Sequence, residues 1–411
     1  MIQFNPFRAL RPEPKEAAGI VSPPYDVVDT KEARVLAQGK PNSFLRVVRS
    51  EIELPEDADP YGDAVYKKAL ENLERMIGQG LFLKDQEECY YIYRIISGSH
   101  RQTGLVGLAS VDDYLNNKIK KHELTVKAKE DDRTNHIDRV NANTGPVFLT
   151  YRNAAVPGIA EFMDMTADNS TPLYDVAVEN GDRHMLYRIN NAEEKKRLHA
   201  HFASLDALYI ADGHHRAASA ARVGVLRRER GAAGKSHNSF MAVSFPDEQL
   251  RILPYNRVVR DLNGLSPEQF LERLGVFFEI REGLSALRMH EMNLYLSGKW
   301  MHMKVKPSVY EDADEIHALD VSVLQDHVLG PMLDITDPRT SKRIAFVGGI
   351  RGDEELIRLV KSGDFAAACS MFPTTVGQLI RIADAGKIMP PKSTWFEPKL
   401  KSGFLVHRLD Y

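Results

Sequence analysis

The amino-acid sequence predicts an α+β protein with mixed sheets, folded as more than one domain. Its 411 residues exceed the roughly 250–300 residues that a single hydrophobic core usually supports, so two or three domains are expected. Strand-like and helix-like runs occur in every part of the chain. In the middle of the chain, an apolar strand-like run meets a helix of small residues at a tight turn.

The N-terminal portion contains a proline-rich stretch, IVSPPYDVVD, over residues 20–29. Two prolines fix its backbone, so Tyr25 and Asp26 are held in a defined direction and are candidates for substrate binding. The alternative is a rigid turn in which Tyr25 packs and Asp26 caps the next helix. Further along, residues 61–80 predict a surface helix, NSFLRVVR over 42–49 predicts a strand, and 89–111 predict a hairpin.

A second polar stretch runs from residue 119 to 146 and reads IKKHELTVKAKEDDRTNHIDRVNANTGP. Thr125 can begin a helix supported by charge pairs at three- and four-residue spacing, which is typical of a solvated surface helix. That account leaves out His122 and Glu123, which precede the helix. A carboxylate beside cations stays ionised, and Glu123 is therefore a candidate for removing a proton from a hydroxyl.

The junction itself reads YIADGHHRAASAA over residues 209–221 and predicts a strand, a tight turn and a helix. The start of such a helix favours an anion, because its first N–H groups lack partners within the helix and face the positive end of the helix dipole. Each polar residue also has a structural explanation as a cap, a turn former or a solvated side chain. The candidate phosphate-binding residues are Gly213, His214, His215 and Arg216, and Asp212 is a candidate metal ligand and catalytic residue.

The last third predicts an α+β portion with a hairpin over 239–253, a helix over 267–274 and a helix near 321–329. It ends in MPPKSTWFEPKLKSGFLVH over 389–407, where Lys392, Ser393, Thr394 and Lys399 are donors suited to phosphate. The alternative is a C-terminal strap whose aromatic residues fill the core. The chain is accordingly divided into an N-terminal portion 1–115, a central core 116–255 and a C-terminal portion 256–411 with a strap returning to the site.

Composition narrows the class of protein. A net charge of -3 and only short runs of lysine and arginine argue against a nucleic-acid partner. Cys89 and Cys369 lack metal-ligand spacing and are expected to be buried thiols. The N-terminal residues lack the apolar core of a secretory signal and no long apolar stretch occurs, so a cytoplasmic protein without membrane association is expected.

The motifs SPPYDVV, KKHELT with EDDR, DGHHRAA and MPPKSTWFEPKLKSG together resemble the domain-of-unknown-function 1015 family over nearly the whole chain. The resemblance implies a central core similar to the ParB/sulfiredoxin-like fold, whose phosphate signature matches Asp212, Gly213, His214 and Arg216. Free-serine kinases of that superfamily carry a similar DGH-x-R stretch and an upstream His-Glu pair, to which His122 and Glu123 are similar. About ninety residues separate the two motifs here, more than the minimal fold needs.

The function expected from these observations is a Mg²⁺-assisted phosphotransferase, a small-molecule kinase that uses ADP or ATP and a serine-like hydroxyl substrate. Glu123 would be the base, assisted by His122, and Asp212 would place the metal. The remaining groups around the phosphates would be the DGHHR residues and Lys392, Ser393 and Thr394. The alternatives are a regulatory switch that binds CTP or ATP without phosphoryl transfer, and a metal-dependent hydrolase with His122, His214 and His215 as ligands.

Overall fold

A computed structural model describes residues 1–311 and 313–409 of the chain. The helices have the following bounds: α1 Ala17–Ile20, α2 Thr30–Ala37, α3 Leu45–Val48, α4 Asp63–Gly78, α5 Val111–Leu115, α6 Lys127–Val140, α7 Ile159–Asn169, α8 Ala192–Ala203, α9 His214–Glu229, α10 Pro267–Leu274, α11 Asp320–Leu324, α12 Gly352–Lys361 and α13 Val376–Asp384. None of these helices combines the length and the apolar character needed to cross a lipid bilayer.

The strands alternate with these helices along the chain. Their bounds are β1 Phe4–Asn5, β2 Leu10–Pro12, β3 Phe82–Lys84, β4 Tyr90–Ser97, β5 His100–Ser110, β6 Ile119–Lys120, β7 Ala142–Asn143, β8 Val147–Tyr151, β9 Tyr174–Ala177, β10 Arg183–Ile189, β11 Leu208–Asp212, β12 Ser239–Pro246, β13 Arg251–Leu253, β14 Tyr255–Val259, β15 Phe278–Glu282, β16 Glu291–Leu296, β17 Lys299–Val305, β18 Ile344–Gly348, β19 Ala367–Met371, β20 Trp395–Glu397 and β21 His407–Arg408.

The chain forms two compact units. The first consists of Met1–Lys121, Thr125–Leu250 and Pro398–Tyr411, and the second of His122–Leu124 and Arg251–Glu397. The predicted portions 1–115 and 116–255 thus lie mostly in the first unit, and most of the predicted portion 256–411 lies in the second. The C-terminal strap from Pro398 onward and the short segment around Glu123 each belong to a different unit from their neighbours in the sequence.

The first unit is built on a large mixed sheet. Among the described residues its strand order is β6-β11-β8-β12-β5-β4-β10-β9, and β1 also pairs with β5. The pairs β11–β6 and β12–β8 are parallel, whereas β8–β11, β4–β5 and β10–β4 are antiparallel. The predicted α+β class with mixed sheets is therefore confirmed.

Helix α9 packs closely in this unit because its side chains are small. It contacts α6, α5 and β12, and its residues from Ala217 to Ala221 are buried. A Cβ atom added to Gly224 would lie 2.6 Å from the carbonyl oxygen of His237, so only glycine permits this approach. The close packing fixes the start of α9 at the end of β11.

The C-terminal strap adds backbone pairs to the first unit. Ser402 pairs with Ser22 in both directions at 3.0 Å, Val406 pairs with Leu10, and β21 pairs with β7. Because these bonds join segments from both ends of the chain, the strap is an integral part of the first unit.

The second unit contains a sheet in the order β15-β17-β16-β19-β14-β18 and a separate pair of strands, β13 and β20. Its core includes Val258, Tyr295, Val347, Leu356 and Phe365, which pack between the sheet and α12.

Two local predictions are wrong. The run 42–49 contains helix α3 instead of a strand, although its valines favour a strand. The hairpin predicted over 239–253 does not form: β12 pairs with β5 and β8, and β13 pairs with β20. The hairpin of β4 and β5 follows the prediction.

Candidate functional site

The DGHHR residues lie where β11 gives way to α9, as the sequence predicts. The strand ends at Asp212, the N-cap residue Gly213 has φ +93°, and the helix begins at His214. A Cβ atom on Gly213 would lie 3.2 Å from Cζ and Nε of Arg216, in addition to the strain of the left-handed backbone. Glycine therefore brings the backbone and the arginine together at the helix start, and it leaves the first turn without a capping side chain.

Arg216 is the buried cation of this junction. Its Nη1 donates to the carbonyl oxygen of Pro146, and its Nη2 donates to Oδ2 of Asp26 at 3.3 Å. Burial alone lowers the pKa of Arg216, but the nearby carboxylates of Asp26 and Asp212 outweigh burial and raise it. Among the residues that the structure describes, its Nε has no hydrogen-bond partner. The side chain is thus a charged group with one donor available to an anion.

Asp212 is paired within the first unit. Its Oδ1 accepts the N–H of Gly213 at 2.8 Å, and its Oδ2 accepts Nζ of Lys399 at 2.9 Å. Burial raises the pKa of this carboxyl, but the charges of Lys399 and Arg216 and the two hydrogen bonds outweigh burial and hold it well below its usual range. Asp212 is therefore ionised near neutral pH.

The proline-rich loop brings Tyr25 and Asp26 to the same junction. The guanidinium of Arg133 lies 4.2 Å from the ring centroid of Tyr25, and burial raises the pKa of this tyrosine above its usual range. Asp26 reaches Arg216, as described above. The loop is anchored at one end by Ser22 and at the other by Asp29, which caps α2 in a capping box.

A small cavity lies behind Arg216 in the first unit. Its volume is about 30 Å³, and its lining includes Tyr25, Arg133, Thr144, Gly145, Arg216 and Ser402. A Cβ atom on Gly145 would lie 3.2 Å from Oγ of Ser402, so the loop before β8 approaches the strap closely. The space suits one or two water molecules.

The two histidines of the junction differ in their surroundings. His214 is buried at the first position of α9, whereas His215 is half-buried and its Nε2 accepts the N–H of Val126 at 3.0 Å. Because this hydrogen bond uses the lone pair of Nε2, the neutral ring of His215 carries its proton on Nδ1, which is therefore a hydrogen-bond donor.

The remaining predicted site residues belong to the second unit. His122 is buried, its carbonyl oxygen accepts the N–H of Met389 at 2.8 Å, and its Nε2 lies 3.5 Å from the hydroxyl of Thr394. Glu123 follows it and is half-buried. The segment that contains Glu123 is therefore joined to the loop of residues 389–394, which we call the KST loop after Lys392, Ser393 and Thr394.

That loop is held by its own polar groups. Oγ of Ser393 donates to the carbonyl oxygen of Pro390 at 2.6 Å, and the hydroxyl of Thr374 donates to the carbonyl oxygen of Ser393 at 3.0 Å. Lys392 is exposed, has φ +58°, and its Nζ lies 5.5 Å from the ring centroid of Tyr255. The hydroxyl proton of Ser393 is thus already used within the loop.

The structure groups the predicted residues into two sets. Tyr25, Asp26 and the DGHHR residues lie together in the first unit, and His122, Glu123 and the KST residues lie together in the second. Sequence reasoning named Lys399 as a phosphate-friendly donor but missed its pairing with Asp212, since the two are 187 residues apart. It also missed Arg133, Gly145 and Ser402, although EDDR, NTGP and KSG stood inside the polar stretches that it singled out.

Comparison with known proteins places most of the chain in one family. The family model described as "Protein of unknown function (DUF1015)" matches residues 4–322, which agrees with the resemblance of the four motifs. No curated protein matches the chain in sequence.

Several solved structures are similar to the chain. A conserved hypothetical protein from Pyrococcus furiosus is 15% identical, with 72% of this chain and 94% of that chain covered and a TM-score of 0.34. A mutant free serine kinase in complex with AMP is 14% identical, with coverages of 72% and 91% and a TM-score of 0.36. SbnI with a C-terminal truncation, from Staphylococcus aureus, is 12% identical, with coverages of 74% and 87% and a TM-score of 0.40.

Proposed function

The chain belongs to the family described as protein of unknown function (DUF1015), and we propose that it is a phosphotransferase that moves a phosphoryl group from ADP or ATP to a small, serine-like hydroxyl substrate. The observation that carries the proposal is the start of α9, where a helix without a capping side chain meets the buried Arg216. The Nε of Arg216, which lacks a partner among the described residues, is the kind of donor that an oxygen of a phosphate would accept from.

The binding roles fall on the first unit. In the proposal, the backbone of Gly213 and the side chains of His214, His215 and Arg216 hold the phosphates. Lys399 adds a second positive charge beside them, since it already lies at the end of β11. Neutralising the charge of the phosphates is the main requirement of phosphoryl transfer, which needs little covalent chemistry from the protein.

The groups that act on the acceptor are Glu123, Tyr25 and Asp26. Glu123 takes the proton from the acceptor hydroxyl as its oxygen attacks the terminal phosphorus, and the bond from that phosphorus to the bridging oxygen of the nucleotide breaks. His122 orients the base, and Tyr25 and Asp26 contact the acceptor. Lys392, Ser393 and Thr394, whose side chains are donors suited to phosphate oxygens, are assigned to the nucleotide phosphates.

Asp212 is the residue assigned to Mg²⁺. The carboxylate suits this ion because it is ionised and partly exposed, and each oxygen keeps a lone pair beyond its present hydrogen bond. Mg²⁺ commonly binds through one or two carboxylates together with substrate phosphates and water. When bound, the ion would neutralise charge on the phosphates.

The experiment is a turnover assay of the purified chain with ADP or ATP, Mg²⁺ and a panel of hydroxyl metabolites that includes L-serine. We expect nucleotide to be consumed only when an acceptor is present. Glu123→Gln should abolish turnover and leave ADP binding unchanged, whereas Arg216→Gln should weaken ADP binding. Gln is preferred to Ala at the second position because it can still donate to the carbonyl oxygen of Pro146.

Two matched controls separate these effects from general damage. Glu130→Gln removes a carboxylate in the first turn of α6, and Arg222→Ala removes an exposed arginine of α9 that pairs with Asp131. Both variants should keep wild-type turnover. The proposal is wrong if Glu123→Gln and Arg216→Gln behave like these controls. CTP that binds and is hydrolysed without consumption of an acceptor would instead favour the regulatory switch.

A further inference from the structure

The buried Arg257 is a second cation that the proposed chemistry does not use. It lies in β14 of the second unit, with only 4% of its surface exposed. Burial lowers its pKa to about 10, against opposing contributions from Cys369 and Tyr255. A buried guanidinium has to be satisfied by hydrogen bonds, and the partners of Arg257 are main-chain carbonyl oxygens instead of carboxylates.

Arg257 joins two parts of the second unit through its hydrogen bonds to these carbonyl oxygens. Its Nη1 donates to the carbonyl oxygen of Tyr255 on its own strand, and its Nη2 donates at 3.0 Å to that of Lys392. Its guanidinium also lies 5.5 Å from the ring centroid of Phe346. The arginine therefore connects the sheet of the second unit to the KST loop.

The held residue has an unusual backbone. Lys392 has φ +58°, a left-handed backbone conformation that residues other than glycine rarely adopt. Strained residues of this kind persist where the surrounding structure imposes them, and they concentrate at functional sites. Arg257 donates a hydrogen bond to the carbonyl oxygen of Lys392, and Thr374 donates one to that of Ser393. The loop is therefore held at the strained residue and at the residue that follows it.

The same loop carries the segment of the proposed base. Met389 donates its N–H to the carbonyl oxygen of His122, and the hydroxyl of Thr394 lies 3.5 Å from Nε2 of His122. The loop thus contacts His122 from both of its ends. All of these residues belong to one compact unit, although Thr394 and His122 are 272 residues apart in the sequence.

We infer that Arg257 is a positioning residue. It holds the KST loop in its strained conformation, and the loop positions Glu123 through its contacts with His122. The inference rests on the proposed function, because Glu123 acts as the base there. Arg257 touches neither phosphate nor acceptor in this account. Its loss therefore lowers the turnover number through Glu123, and it alters ADP affinity only as far as Lys392, Ser393 and Thr394 of the loop hold the phosphates.

The test compares Arg257→Met with Arg260→Met. Arg260 lies just beyond the end of the same strand, donates to the carbonyl oxygens of Lys342 and Asp364, and its guanidinium lies 4.9 Å from the ring centroid of Phe365. It is thus an arginine with the same kinds of partner that does not contact the KST loop. Hydrogen exchange of the peptides covering 119–126 and 386–397 reports on positioning, and the turnover number and the Kd for ADP report on function.

We expect Arg257→Met to speed exchange in both peptides and to lower the turnover number by about 100-fold, as for misplacement of a catalytic group by about 1 Å. The Kd for ADP should rise by a much smaller factor, because the groups of the first unit still hold the phosphates. Arg260→Met should leave exchange and turnover as in the wild type. Arg257→Lys, which keeps the charge but has one donor nitrogen in place of the fork, should restore part of the turnover.

Thr374→Val covers the case in which Arg257→Met fails to fold. It removes the hydroxyl that holds the carbonyl oxygen of Ser393 and nearly preserves side-chain shape, and we expect a smaller change in exchange and turnover of the same sign. The inference is overturned if exchange in 119–126 does not change, or if exchange rises and turnover does not fall. If the wild type phosphorylates no acceptor, the proposed function fails, whereas the exchange data still decide whether Arg257 holds the loop.

Discussion

The pair of Asp212 and Lys399 supports a prediction about phosphate affinity in which two single changes have opposite signs. In the absence of metal, Lys399→Met should weaken the binding of ADP, because it removes a positive charge and leaves the negative charge of Asp212 uncompensated. Asp212→Asn should strengthen ADP binding, since it removes a negative charge that repels the phosphates. The double variant should bind ADP about as the wild type does.

The size of the effect follows from the distances. Oδ1 of Asp212 accepts the N–H of Gly213 at 2.8 Å, and Oδ2 accepts Nζ of Lys399 at 2.9 Å. With hydrogen bonds near 3 Å, a phosphate oxygen at the start of α9 lies about 7 Å from Nζ. At an effective dielectric constant of 20 to 40, each unit of phosphate charge contributes about 1–2 kcal/mol at that separation. Each single change should therefore alter the Kd for ADP by roughly 5- to 30-fold.

The measurement is calorimetric titration of ADP in a chelator at low and moderate salt, with Lys401→Met as the matched control. Lys401 lies in the same strap and lines a separate pocket of the first unit with Lys40 and Glu179. Two results would refute the reasoning: equal losses of affinity in Lys399→Met and Lys401→Met, or a loss of metal-free affinity in Asp212→Asn. Added Mg²⁺ tests the metal role separately, because Asp212→Asn should forfeit the gain in affinity that the ion gives the wild type.

Three further predictions concern the first unit. Gly213→Ala should destabilise the fold by about 1–2 kcal/mol in urea unfolding and weaken ADP binding, whereas Gly231→Ala, whose φ is +70° with open space around it, should destabilise without changing ADP affinity. Burial lowers the pKa of His136 and of His184 to about 3 in the folded chain. As the pH falls below about 6.5, these histidines bind protons in the unfolded chain but not in the folded one, which favours unfolding. Each histidine should therefore lower the free energy of unfolding by about 2 kcal/mol at about pH 5. His184→Asn should remove its share of that acid sensitivity, and an unchanged pH dependence of the urea midpoint would contradict it. Asp26→Asn should tighten metal-free ADP binding by removing a competitor for the buried arginine, and weaker binding would show that Asp26 contacts the nucleotide favourably.

The junction at the heart of the site was predictable because its signals are local. A glycine between an apolar run and a run of small residues specifies a strand, a left-handed turn and a closely packed helix, and β11, Gly213 and α9 follow that order. The strand predicted over residues 42–49 was wrong because the local signal there is ambiguous. A short apolar segment rich in valine favours a strand by composition, but short apolar runs fit a buried helical turn equally well, and packing decides between them.

Pairing across long stretches of sequence was not predictable. Lys399 and Asp212 meet only because the strap pairs with Ser22 and Leu10, and nothing near either residue signals the other. For the same reason β13, which follows a turn after β12, pairs with β20 instead of forming a hairpin. Local propensity limits the choice of elements, and the burial of apolar surface across the whole unit determines their partners.

The division of the site residues between two compact units has a consequence for how the proposed function can fail. Groups assigned to the phosphates, such as Arg216, are fixed by the packing of α9 in the first unit, whereas Glu123 is fixed by the KST loop of the second. Substitutions at Arg216 and its neighbours should therefore act mainly on the Kd for nucleotide, and substitutions that move Glu123 should act mainly on the turnover number. If Arg257→Met lowered ADP affinity as much as Arg216→Gln and left the turnover number unchanged, the KST loop would serve only the nucleotide, and the assignment of a base to the segment of Glu123 would have to be abandoned.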